Sequence, residues 1–147
     1  MEGKKRKNVL QTGSISTEFI ARSIAAHGSK KDIGAHMIFL GQVRADEHGG
    51  RKVKAIEYTA YEEMAEDVFY TIREEAFSKY KLTCMHIHHS LGIVAAGEIS
   101  LFVFTSSAHR QDAADSCREI VERIKAEVPV WGKEIFDDES YLWKENN

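Results

Sequence analysis

Proline is almost missing from this chain of 147 residues: Pro129 is the only one. No low-complexity or proline-rich segment interrupts the sequence, which excludes an extended linker or a disordered array. Cysteine is nearly as scarce. Two residues, Cys84 and Cys117, with no CxxC spacing, exclude a disulfide framework. No run approaches the roughly 18 apolar residues of a spanning helix, so no membrane association is expected. A basic excess is also lacking, since the formal net charge is −3, and nucleic acid is not expected as a partner. The opening MEGKKRKNVLQTG is basic but has no apolar stretch behind it, so it does not read as a secretory signal. These absences together point to a cytoplasmic protein.

What is present is ordinary globular composition, 43% hydrophobic and 29% charged. One domain is expected over residues 14–147, preceded by a flexible basic tail over 1–13. Ser16 and Thr17 cap a short helix striped by Phe19, Ile20, Ser23 and Ile24 and ending near Gly28. Ala35 to Val43 reads as a strand with a bulge or close approach at Gly41. Val53 to Thr59 reads as the next strand, joined to it as a hairpin through a long loop turning at Gly49-Gly50. Met64, Val68, Ile72 and Ala76 stripe a helix over Glu62 to Lys79. LTCMHIHHSLG and EISLFVFTSS follow as two strands joined at Ala96-Gly97. The second is almost wholly apolar over Ile99 to Phe104, as expected of a strand covered on both faces. A last helix, Asp112 to Glu127, carries Ala113, Cys117, Ile120, Ile124 and Val128 on one stripe, and Pro129 stops it. The order predicts an α+β domain with a mainly antiparallel sheet and packed helices.

Few residues carry chemistry on their own pattern. TSSAHRQDA, Thr105 to Ala113, runs a buried strand into a helix start with His109 and Arg110 at the junction. Two readings fit it equally: an anion site on free N–H groups, or plain capping by Ser106 or Ser107. His86 and His88 share one strand face, but two ligands do not make a metal site, and none is expected. Cys84 and Cys117 read as core residues. Lys125, in the final helical turn, and Lys133 beyond it fit a charge on the helix end and a surface residue.

The assembled motifs resemble the large, catalytic subunit family of molybdopterin synthase, over Gly34 to Trp143. GAHMIFLGQVR resembles the family's G…F-x-G-x-V-R strand at Gly34, Phe39, Gly41, Val43 and Arg44. IEYTAYEEMAE resembles the lead into its middle helix, and HHSLGIVAAGEISLFVFTSSAHR its histidine-glycine and S-A-H-R segments. KAEVPVWGKE resembles K-x-x-x-P-[FIV]-W-K-[KR]-E. The resemblance implies an α/β-hammerhead type of fold. It also implies a sulfurtransferase that converts a cyclic pyranopterin monophosphate to molybdopterin, without metal or other cofactor. Two dithiolene sulfurs would arrive as a thiocarboxylate on the Gly-Gly tail of a small ubiquitin-like subunit. The assembly implied is a heterotetramer around a dimer of this chain.

By the same resemblance Lys125 and Lys133 are catalytic candidates. Gln42, Val43, Arg44, His109, Arg110 and Glu134 are candidates for substrate binding. The departure is Gly132, which stands where the family pattern has its second lysine. One reading lets Gly132 adopt positive φ and turn Lys133 into the pocket. Its rival is a partner-binding scaffold with impaired catalysis. A third function, a nucleotide-binding protein of another kind, lacks a glycine-rich phosphate loop.

Overall fold

The computed structural model describes residues 8–144. Eight strands and three α-helices follow in the order β1 (Leu10–Thr12), α1 (Thr17–Ala26), β2 (Ala35–Gln42), β3 (Glu47–His48), β4 (Arg51–Ala60), α2 (Glu62–Lys79), β5 (Cys84–Ala95), β6 (Ile99–Ser107), α3 (Arg110–Glu127), β7 (Val130–Phe136) and β8 (Tyr141–Trp143). The fold is α+β. Its sheet runs β2-β6-β5-β4-β7-β8, with β1 on β5 and β3 on β4. Among the described residues every strand pairing is antiparallel except β1 with β5.

Strand β6 lies between β2 and β5 and shows why its sequence is so apolar. Alternate side chains of a strand face opposite sides. Leu101 and Val103 join the core under α2 and α3, while Phe102 and Phe104 pack with Ile15 and Ile20 of the α1 side. Burying each such side chain contributes about 1.5–3 kcal/mol. On α3 the stripe Ala113, Cys117, Ile120 and Ile124 is buried, as its spacing demands. Helix α2 turns slightly from the expected face: Ala65, Phe69, Ile72 and Ala76 are inside, whereas Met64 is exposed.

Three expectations are corrected. First, β2 and β4 do not form a hairpin. Among the described residues β2 pairs only with β6, and β4 lies between β5 and β7. The turn at Gly49 and Gly50, with φ of 58° and 81°, joins β3 to β4 instead. Second, residues 8–13 belong to the fold and not to a tail: Val9 is buried and β1 pairs in register with His89 to Leu91. Residues 1–7, with the basic cluster, lie outside the described residues. Third, the chain does not turn at Gly132: the segment after Pro129 is a full strand, β7, paired along β4 from Val130 to Phe136 and followed by β8.

Strand β5 is shared by two half-sheets. Its residues Cys84 to His89 pair with β6, and Gly92 to Ala95 pair with β4. Gly92 sits at the changeover with φ of 79°. Strands β6 and β4 thus take different stretches of β5, and residues of both line a cleft.

Candidate active site

The cleft has a volume of about 330 Å³. The end of β2 supplies Gln42, Val43 and Arg44, β4 supplies Ile56 and Tyr58, β5 supplies His89, and β6 supplies Ser100 and Leu101. Helix α3 adds Lys125, β7 adds Glu134, and Lys144 follows β8. An adjoining hollow shares Tyr58, His89, Lys125 and Lys144 and adds Trp131 and Gly132. A register shift between Gly41 and Gln42 brings β2 to its end here. Gly41 faces close packing: a Cβ on it would lie 3.2 Å from the Leu101 Cβ.

The electrostatics are cationic with one buried acid. Lys125 keeps solvent access, yet the surrounding protein displaces enough water to pull its pKa below the ordinary lysine value. The charge of Lys144 lowers it further, and Glu122 opposes both. Glu134 is almost fully buried, with His48 Nε2 at 3.4 Å and Lys144 Nζ at 3.9 Å. Arg44 is exposed at the mouth and its Nη2 donates to Asp46 Oδ2 at 3.2 Å. Val43 is buried and tied by its backbone to Gly97 and Glu98. His89 pairs its Nδ1 with the Ser90 carbonyl at 2.8 Å. Burial pushes its pKa down to about 4, with the hydrogen bond opposing and Lys125 assisting, so the ring is neutral near pH 7. Tyr58, 3.1 Å from Ser100 Oγ, has its pKa raised by burial.

Lys125, Gln42, Val43, Arg44 and Glu134 therefore meet in one cleft. Lys133 does not. Gly132 is a regular strand residue opposite Tyr58, and its φ is not in the left-handed region. The chain does not turn there, so Lys133 faces away, with Nζ 3.4 Å from Glu57 Oε1 and 4.6 Å from the Tyr141 ring centre. His109 and Arg110 also lie elsewhere. They sit at the N-terminus of α3, and Lys125 is in its last turn. The separation is roughly 22 Å along the axis, from a rise of about 1.5 Å per residue.

The junction itself is tied without a side-chain cap on α3. Ser107 Oγ donates to Lys81 O at 2.8 Å, Thr105 Oγ1 donates to Ala113 O at 2.7 Å, and Ser106 Oγ meets His36 Nδ1. Sequence reasoning missed His89, Tyr58 and Lys144. Alternation along HIHH could have found His89, because it places that residue on the face opposite His86 and His88. Those two pack toward α1, His86 against His27 and His88 against Phe19 and Phe102. Among the described residues, His27, Cys84 and His86, and separately Asp46, His48 and Glu134, bring possible metal ligands together. Both cysteines are buried.

The family model described as MoaE protein matches residues 10–127. The chain belongs to the MoaE protein family. Relatives named molybdopterin synthase catalytic subunit include one from Oryza sativa subsp. indica. It is 42% identical over 113 residues, covering 77% of this chain and 58% of the relative. Another, from Pyrococcus abyssi, is 40% identical over 119 residues, covering 81% and 79%. This chain thus spans under two thirds of the rice protein it matches. The crystal structure of molybdopterin synthase from Staphylococcus aureus superposes with a TM-score of 0.82 at 31% identity, covering 97% of this chain and 99% of that one. The MoaE match ends at Glu127, short of β7, β8 and Lys144, so it leaves the far wall of the cleft unmatched. Among the described residues no helix is long and apolar enough to cross a membrane.

Proposed function

We propose that this chain is the catalytic subunit of a molybdopterin synthase acting in the cytoplasm. Its substrate is the cyclic pyranopterin monophosphate, and it inserts two dithiolene sulfurs to give molybdopterin. The sulfur donor is a thiocarboxylate on the Gly-Gly terminus of a small ubiquitin-like subunit, and the assembly is a heterotetramer built on a dimer of this chain.

The observation that carries this reading is the convergence of Lys125 and Arg44 on one cleft in a MoaE-family fold. Both reactants are anions. A guanidinium at the mouth is suited to hold a phosphate through two parallel bonds, exchanging its Asp46 partner for the ligand. An ammonium with a lowered pKa gives up a proton more readily than a solvated lysine, which suits Lys125 to protonate a leaving group or developing oxyanion. Neutral His89 and Tyr58 line the wall without adding charge, and Glu134 balances the cations. Gln42 and Val43 shape the substrate side beside Arg44. His109 and Arg110, at the far end of α3, serve the same substrate only from a second copy of the chain.

The test is single-turnover dithiolene formation with a thiocarboxylated small subunit and the cyclic precursor. Turnover that collapses in Lys125→Met supports the assignment. Tight partner binding with no dithiolene formed by the wild-type chain would leave only the scaffold reading.

A further inference from the structure

The β7–β8 ladder pairs Lys133 with Trp143 and Glu134 with Leu142. One step further along the same register, the Lys144 N–H donates to the Gly132 carbonyl at 2.8 Å. Residues directly opposite in an antiparallel pair share a face, with Cβ positions about 4.5–5.5 Å apart. Gly132 belongs to the cleft face, since a Cβ on it would touch Ile56 Cγ2 at 3.0 Å and the Tyr58 ring at 3.5 Å. Lys144 therefore stands on the cleft face too, beside the place that Gly132 leaves without a side chain. It lines the cleft, the hollow at Trp131 and Gly132, and a further hollow beside Arg44, His48 and Glu134.

We propose that Lys144 provides the second ammonium of this active site, a binding and charge-stabilising group for the anionic reactants, delivered from β8 across the ladder to the wall at Gly132. This rests on the synthase reading above. Lys125 comes from a helix and Lys144 from beyond an edge strand, so two unrelated elements bring positive charge to one wall. Glu134 Oε2, 3.9 Å from Lys144 Nζ, is close enough to hold the ammonium over the cleft, while Oε1 is approached by His48 Nε2. The like charge of Lys144 is already felt at Lys125, where it helps to lower that pKa behind the larger effect of burial. Lys133, the neighbour in sequence, is turned to the other face by alternation and meets Glu57. Across the β7–β8 ladder, Lys144 is in register to stand beside Gly132.

Lys144→Met, Lys144→Arg and Lys133→Met separate this proposal from the assignment it rests on. Single-turnover dithiolene formation is expected to fall roughly tenfold or more in Lys144→Met, to be largely kept in Lys144→Arg, and to stay within about twofold of wild type in Lys133→Met. Wild-type turnover that Lys144→Met leaves intact overturns the role of Lys144 and leaves the synthase reading standing. Absence of wild-type turnover sinks the synthase reading. The proposal is then judged on the chain alone, from the titration of Lys125 followed by NMR of its labelled side chain. Lys144→Met is expected to raise the Lys125 pKa while the thermal midpoint stays near wild type. In that case a Lys125 titration identical in both chains overturns the proposal.

Discussion

Both carboxylate oxygens of Glu66 accept the backbone N–H of Val9, at 3.0 and 3.1 Å, although the residues are 57 positions apart. Oε2 also accepts from Leu10 at 2.9 Å. An α2 carboxylate thus holds the start of the parallel strand β1 by accepting the N–H groups of Val9 and Leu10. Glu66→Ala leaves two donors beside the core without an acceptor. The expected loss is about 2–4 kcal/mol in urea unfolding, with Glu66→Gln losing less because its amide oxygen still accepts one bond.

His89 makes stability depend on acid. Its pKa is about 4 in the fold against an ordinary 6.5. Between these values the unfolded chain binds the proton and the folded one does not, so stability rises with pH. The contribution is fully present above about pH 6.5 and is lost as pH falls toward 4, on the order of 3 kcal/mol. In His89→Gln the unfolding free energy should vary less across that window. An unchanged slope would place the acid sensitivity elsewhere.

Gly34 is required by close approach. A Cβ there would lie 2.2 Å from the Ala108 carbonyl oxygen, which is backbone and cannot rotate away. Its own N–H donates to Ser107 O at 2.9 Å. Gly34→Ala is expected to cost more than about 2 kcal/mol and to shift the His109-Arg110 junction, read as a lower thermal midpoint together with weaker precursor binding.

The length of α3 predicts complementation between inactive chains. Arg110→Ala and Lys125→Met, each inactive alone, are expected to regain activity when mixed and allowed to exchange in a two-fold dimer. The recovered rate approaches about a quarter of wild type, because half the dimers are mixed and each holds one intact site. No recovery after proven exchange would remove Arg110 from the composite site.

Gly132→Lys in the wild-type background should not raise the rate, and the 3.0 Å approach to Ile56 Cγ2 should lower the thermal midpoint. The same change in Lys144→Met should restore rate, since either lysine then reaches the same wall. A gain in the wild-type background would mean that the wall lacks an ammonium.

Much of the fold was legible because burial imposes clean periods. The α3 stripe and the apolar β6 follow from packing on one face or two, and both lie where spacing put them. The β2–β4 hairpin was misread because sequence adjacency does not fix which edge a strand takes. Strand β1 hid in a polar segment whose partner is the buried acid Glu66, a long-range contact with no local signal. In the site, Arg44 and Lys125 came from motif. The facing of Lys133 came from strand parity, which could be judged only once β7 was known to be regular. Lys144 depends on the register of β8, which no local pattern near Gly132 announces.

The sharing of β5 has a mechanical consequence. The half that carries β2 and Arg44 and the half that carries β7 and Glu134 are linked through one continuous ribbon, whose changeover lies at Gly92. A ligand that spans the cleft acts as a second link across this joint and stiffens it against torsion. Amide hydrogens at Ile93 and Val94, outside direct reach of the ligand, would then exchange more slowly in the complex than in the empty protein.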